Sequence, residues 1–210
     1  MGVAKDERTA LCDLFVELGP DEPTLCEGWH TRDLAAHLVI RERRPDAAPG
    51  ILIKPLAGYA RRVQDSYARR PWTELVGAIR SGPPRYWPSA LDELVNTTEF
   101  FVHHEDVRRA RPGWQPRPPD ERRDRALWGA VARSGRMLLR HSPVGVVLRR
   151  SDRDGRDGRE VTARRGPSTV IISGPPGELL LFAFGRDRAL VDFEGDQSSI
   201  GLVKGVTRGL

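Results

Sequence analysis

Apolar residues recur at helical spacing through most of the chain and then switch to short β-branched runs near its end. Ala10, Leu11, Leu14, Phe15 and Leu18 lie three and four apart, which predicts a helix over about Lys5–Leu18, stopped by Gly19-Pro20. A second helix is expected over Thr31–Arg43, with Leu34, Ala35, Leu38 and Val39 on its inner side and Pro45 just beyond it. Ala60, Val63 and Tyr67 mark a third over about Leu56–Arg69, and Trp72, Leu75, Val76 and Ile79 mark a short companion after Pro71. A long helix follows over about Ser89–Ala110, with Leu91, Leu94, Val95, Val102 and Val107 expected inward, between Pro88-Ser89 and Pro112-Gly113.

Arg111–Asp120 carries Pro112, Pro116, Pro118 and Pro119 and reads as a stiff connection. A further helix is predicted over about Asp120–His141. Past Pro143 the runs Val144–Leu148, Glu160–Ala163, Thr169–Ile172 and Ala189–Phe193 read as strands, with a charged hairpin turn at Asp152–Arg159. Gly177–Phe184 is an apolar helix between the last two strands. Ser198–Leu210, with Gly201, Gly205 and Gly209, is weakly helical at best. The expected fold class is α+β: a four-helix bundle over residues 1–142, then a small α+β domain over 143–210.

Glu99 and His103 fall in the long helix, four residues apart, so they sit about 40° apart around the axis and roughly 6 Å along it. They point the same way and can reach one ion. Two readings stay open for this pair, a solvated i,i+4 polar contact or a pair of metal ligands. Phe100, Phe101 and Val102 favour a buried location, where ionisable groups must be paired or bound. His37 on the second helix is either a core histidine or a third ligand. Asp106 falls on the same stripe as Glu99 and is the natural outer partner or alternative ligand.

The sequence Trp29, Asp33, His37, followed some sixty residues later by Glu99, His103, His104 and Asp106, resembles the metal-binding four-helix bundle of the DinB-like superfamily. The nearest branch is the actinobacterial relatives of mycothiol-dependent maleylpyruvate isomerase, and the stretch Leu25–Gly50 resembles an uncharacterised metal-binding subgroup. The resemblance implies that His37, Glu99 and His103 hold a divalent ion, usually taken to be zinc. It further implies a small-thiol cofactor, mycothiol, acting on a small electrophile. Gly174–Arg186 resembles a C-terminal helix ending in Gly-Arg, so Arg186 becomes a candidate anchor for the thiol or a substrate carboxylate, and Asp106 and Arg186 become the candidate catalytic residues. One departure stands out: His30 occupies the helix-capping place where the family usually has Ser or Thr, so either Thr31 or His30 must serve.

The net charge of +5 and pI near 9.7 invite a nucleic-acid reading. Nearly all the positive charge is arginine, scattered in pairs such as Arg43-Arg44 and Arg122-Arg123 among acidic residues, without a clustered basic stripe. No nucleic-acid partner is expected. No apolar run approaches the roughly 18 residues of a membrane span, so a cytoplasmic protein without a membrane partner is expected. Cys12 and Cys26 make no disulfide framework, and the tryptophans read as large packing residues. A homodimer is compatible with this reading.

Three functions compete. A metal-assisted, mycothiol-dependent transferase or isomerase fits the resemblance best. A metal-dependent hydrolase would need a base near the ion, with Asp106 nearest at hand, and the chain lacks His-Glu-x-x-His and Gly-x-Ser-x-Gly patterns. A non-catalytic metal- or thiol-binding regulatory module is the third.

Overall fold

The computed structural model describes residues 2–51, 53–84, 89–151 and 158–209, which form two compact units, 1–116 and 117–210. The first unit holds α1 (Val3–Leu18), α2 (Thr31–Arg43), α3 (Ala57–Ala68), α4 (Trp72–Arg80) and α5 (Ser89–Ala110). Two short 3-10 turns, Ala48–Ile51 and Lys54–Leu56, shape the proline-bearing loop before α3. α1 packs on α5 and α4, and α2 packs on α3 and α4. Leu11, Phe15, Leu34, Leu38, Leu75, Ile79 and Phe100 meet in the core between them.

These helices form where periodicity predicts them, but α5 departs from the amphipathic pattern. Asn96, His103, His104, Glu105, Asp106 and Arg109 are buried along with Phe100 and Val107, so this helix is enclosed on several sides. Val95, expected inward, is instead 37% exposed because Asn96 and Thr97 take the buried positions beside it. The side chains of Leu91 and Leu94, and Pro88 itself, lie outside the described residues.

Burying charges requires partners, and α5 finds them. His104 Nδ1 meets Glu7 of α1 at 3.0 Å. Glu105 accepts from Arg108 at 2.7 Å and from Arg109 at 2.6 Å, while the Arg109 guanidinium covers the Trp114 ring. Arg8 and Glu42 form a fork-to-fork pair at 2.6 and 2.7 Å, with side chains 5% and 4% exposed. The same arginine donates to Ile79 O and lies 4.1 Å over the Phe100 ring. α5 also closes the start of α1: Glu93 Oε1 accepts from Val3 N at 2.6 Å, neutralising a helix N-terminus that lacks a side-chain cap of its own. A Cβ at Gly2 would meet the Glu93 carboxylate, so a side chain there would have to push this acceptor aside.

The second unit holds α6 (Glu121–Leu138), β1 (Gly145–Arg150), β2 (Glu160–Arg164), β3 (Thr169–Gly174), α7 (Pro176–Ala183), β4 (Asp192–Glu194) and α8 (Gln197–Gly205). The sheet order is β2-β1-β3-β4, with β1 and β3 parallel and both edge strands antiparallel to their neighbours. α7 is apolar on nearly every side because it is wedged between α6 and the sheet, with Leu179, Leu180 and Leu181 fully buried. The boundary differs from the one expected at 142/143. α6 packs on α7 and β2 and therefore groups with the sheet. The fourth strand is shorter than the Ala189–Phe193 run. The tail, expected to be weakly helical at best, forms the nine-residue α8: Asp196 caps it through Ser199 N at 2.8 Å, and buried Ile200 and Val203 hold it to the unit. Most of the expected Asp152–Arg159 turn lies outside the described residues.

The Arg8–Glu42 pair gives a stability test. Arg8→Ala should destabilise the protein by about 3–5 kcal/mol in urea unfolding, because Glu42 is left buried and charged. The volume-matched double replacement Arg8→Met with Glu42→Leu should recover most of that loss.

Candidate metal centre

The segment before α2 sets the position of His37. Thr31 N donates to Glu22 O, and its hydroxyl donates to Gly19 O at 2.6 Å, so Thr31 is the first helical residue and not the cap. His30 takes the cap position, its backbone N–H donating to Asp33 Oδ2 at 2.9 Å. Its ring is exposed, which suits a helix entry. Gly28 turns the loop with φ +73°, a left-handed value favouring glycine. The Thr24 hydroxyl donates to Trp29 O and accepts from Cys26 N, and Leu25 N donates to Asp106 O of α5 at 3.0 Å. The loop is thereby tied to α5, with Cys26 facing it.

His37, one and a half turns into α2, meets Glu99 of α5: Nε2 to Oε1 is 3.2 Å. One turn on, His103 Nε2 approaches the same oxygen at 3.3 Å. Oε1 thus lies between two imidazoles whose ring centres are 5.3 Å apart and nearly perpendicular. The three ligand atoms all lie within 4.8 Å of one another. A tetrahedral ion with bonds of about 2.0–2.1 Å needs ligand atoms about 3.3 Å apart, so the two measured edges match the spacing an ion would require. Glu99 keeps 22% of its side chain exposed, against 8% for His37 and 11% for His103. The carboxylate end of the trio is therefore the open one.

Five surrounding residues pack around it. Arg41, one turn after His37, places Nε 3.3 Å from Glu99 Oε1 and also donates to Asn96 Oδ1. Asn96 in turn donates to Glu42 at 2.9 Å, joining the site to the Arg8 pair. The Trp29 ring is 5.2 Å from that of His37 and covers it from one side. On the far side of His103, Nδ1 meets Asp106 Oδ2 at 3.0 Å, and that carboxylate is fully buried. Cys26 Sγ lies 3.3 Å from the same oxygen.

The structure thus brings together His37, Glu99, His103 and Asp106. Arg186 belongs to the second unit, where it follows α7 and donates to Phe184 O at 2.8 Å. The sequence reading passed over Arg41 and Asn96. The signals available were modest: Arg41 is four residues after His37 and Asn96 is three before Glu99, spacings that put each on its ligand's own helix face.

The titration directions follow from these contacts. Burial pushes the Glu99 carboxyl up, but hydrogen bonds from His103 and His37 and the charges of His103 and Arg41 hold it well below the usual range. Burial lowers His37, opposed by its bond to Glu99 and reinforced by the nearby charge of His103. Burial also acts to lower His103, but Asp106, Cys26 and Glu99 raise it well above the ordinary imidazole value. These directions favour a proton on His103 over one on His37.

Any cation entering the trio must displace that proton. Zinc affinity should rise with pH for as long as His103 remains protonated, and calorimetry in buffers of different ionisation enthalpy should show protons released on binding. An affinity independent of pH would contradict this arrangement.

No protein-family model matches the chain, and no curated protein matches it. Solved structures do. The crystal structure of the mycothiol-dependent maleylpyruvate isomerase aligns at TM-score 0.57 with 17% identity, covering 92% of this chain and 91% of that one. A histidine-to-alanine mutant of that enzyme aligns at 0.56 with 16% identity over the same shares. The sequence resemblance and the architecture converge on one result: this chain has the fold of the mycothiol-dependent maleylpyruvate isomerase.

Proposed function

We propose that the chain is a divalent-metal-binding enzyme that uses a small thiol, mycothiol in this reading, to transfer to or isomerise a small electrophile. The carrying observation is the convergence of His37, Glu99 and His103 around one point, with its carboxylate end partly exposed. A DinB-like bundle built from the helices of the first unit is part of the same reading.

The donor set fits a borderline divalent ion, zinc first, with nickel or iron also suited to two imidazoles and a carboxylate. Bound there, such an ion supplies Lewis acidity and lowers the pKa of a thiol or water that reaches it. The chain's own residues do the remaining work. Arg41 keeps Glu99 ionised, Asp106 fixes the His103 tautomer so that Nε2 faces the site, and the Trp29 ring shields His37 from water. Three protein ligands leave at least one position for a visitor, whereas a purely structural ion would be wrapped by four.

The buried surroundings argue against hydrolysis. A general base must reach the reacting water, yet Asp106 is fully enclosed and engaged by His103 and Cys26. Glu105 is held by Arg108 and Arg109, and His104 by Glu7. Asp106 is therefore read as a positioning residue. A regulatory module would share the ion and the thiol but show no turnover.

Metal analysis of purified protein decides the first step. His37→Ala and His103→Ala should each lose the ion held by the trio, and a metal content unchanged from wild type in both would end the reading. Asp106→Asn should weaken binding about 10–100-fold while keeping the fold. Metal-loaded protein should form thiol adducts of mycothiol with maleylpyruvate or a model electrophile. Mycothiol binding without any turnover would favour the regulatory alternative.

A further inference from the structure

His103 faces two donor sets. Nε2 serves the trio with His37 and Glu99, while Nδ1 faces Cys26 and Asp106. We propose that Cys26, His103 and Asp106 form a second cation position, for a thiophilic divalent ion, meeting the first at the His103 ring.

The geometry is that of a ligand triangle. Cys26 Sγ to Asp106 Oδ2 is 3.3 Å, Sγ to His103 Nδ1 is 3.9 Å, and Nδ1 to Oδ2 is 3.0 Å. A point equidistant from those atoms lies about 2.0 Å from each, and a point displaced toward the Nδ1–Oδ2 edge and out of the plane keeps nitrogen and oxygen at about 2.0–2.1 Å while giving sulfur its longer bond of about 2.3 Å. The three atoms have the mixed hardness that zinc and cadmium accept, and thiolate strengthens the preference for the softer ion. Charge also matches. A thiolate and a carboxylate together cancel a divalent charge, which a position this enclosed requires; Asp106 is 0% exposed. The first trio offers only one negative ligand, Glu99.

The position is prearranged from two directions. α5 supplies His103 and Asp106 from one face, three residues apart. The Thr24–Trp29 loop supplies Cys26, and the Leu25 N to Asp106 O bond pins it there. An outer carboxylate meant only to orient His103 needs no sulfur against the same oxygen. Occupancy expels the Cys26 thiol proton and the proton on Nδ1 to the buffer, with no redox change. Filling both positions would also take the Nε2 proton, leaving His103 as an imidazolate between the two ions.

The proposal stands apart from the proposed function, because the first trio can be disabled alone. Cadmium is titrated into wild type, Glu99→Gln and Cys26→Ser, following the ultraviolet thiolate-to-cadmium charge-transfer band, with circular dichroism to verify each fold. The band should form in wild type and persist in Glu99→Gln, and Cys26→Ser should lose it with at least about tenfold weaker binding at this position. Absence of the band in wild type, or its survival in Cys26→Ser, overturns the proposal. Should a variant fail to fold, wild type alone decides: cobalt must give a thiolate-to-cobalt band with more than one ion bound per chain, and a single ion without that band overturns it.

Discussion

A carboxylate withdrawn from water must be met by positive charge or N–H donors, and this chain withdraws several along a single helix. The energetic demand of enclosing α5, with His103, His104, Glu105, Asp106 and Arg109 all buried, organises the first unit. Glu7 is brought to His104, Arg8 to Glu42, and Asn96 to both Glu42 and Arg41. The result is a connected polar string from Arg8 to Cys26 that passes through Glu99. In a low-dielectric interior each link strengthens its neighbours, and each missing link is costly. The helices therefore settle in the register that completes the string.

The candidate centre is the outermost stretch of that string. Glu99 differs from the other buried carboxylates of α5 in keeping a fifth of its side chain open, and its oxygen faces two imidazoles rather than arginines alone. The distinction separates a carboxylate wholly enclosed by its partners from one that stays partly open, as the proposed metal site requires. Glu105, locked by two guanidiniums, is of the first kind. Glu99 is of the second.

Much of this was legible from residue spacing. Every predicted helix and strand has a counterpart among the described residues, because amphipathic periodicity or Pro/Gly punctuation survives in them, α5 and the all-apolar α7 lacking the former. The pairing of His37 with Glu99 came from resemblance, since spacing alone left a solvated i,i+4 contact open for Glu99 and His103 and a core role open for His37. Arg41 and Asn96 were missed because their importance lies in partners from other helices, which no local pattern records. The inward reading of Val95 failed for a related reason: on a helix surrounded by protein, polar side chains compete with apolar ones for the interior. The assignment of α6 to the bundle followed chain order, whereas its apolar face meets α7 and the sheet. α8 formed despite its glycines because a single aspartate cap and two buried aliphatic side chains outweigh their helix penalty.

The Glu93 clamp on α1 has a consequence for the order of assembly. The amide donors that open the first helix wait for an acceptor encoded 90 residues later. At translation speeds of about 5–20 residues per second, that acceptor arrives roughly 5–20 seconds after them. During this interval α1 cannot take its final place, however strongly its own apolar stripe favours a helix. Docking of α1 is thus coupled to the synthesis of α5, and a ribosome stalled between the two would display an unclosed helix end to the cell.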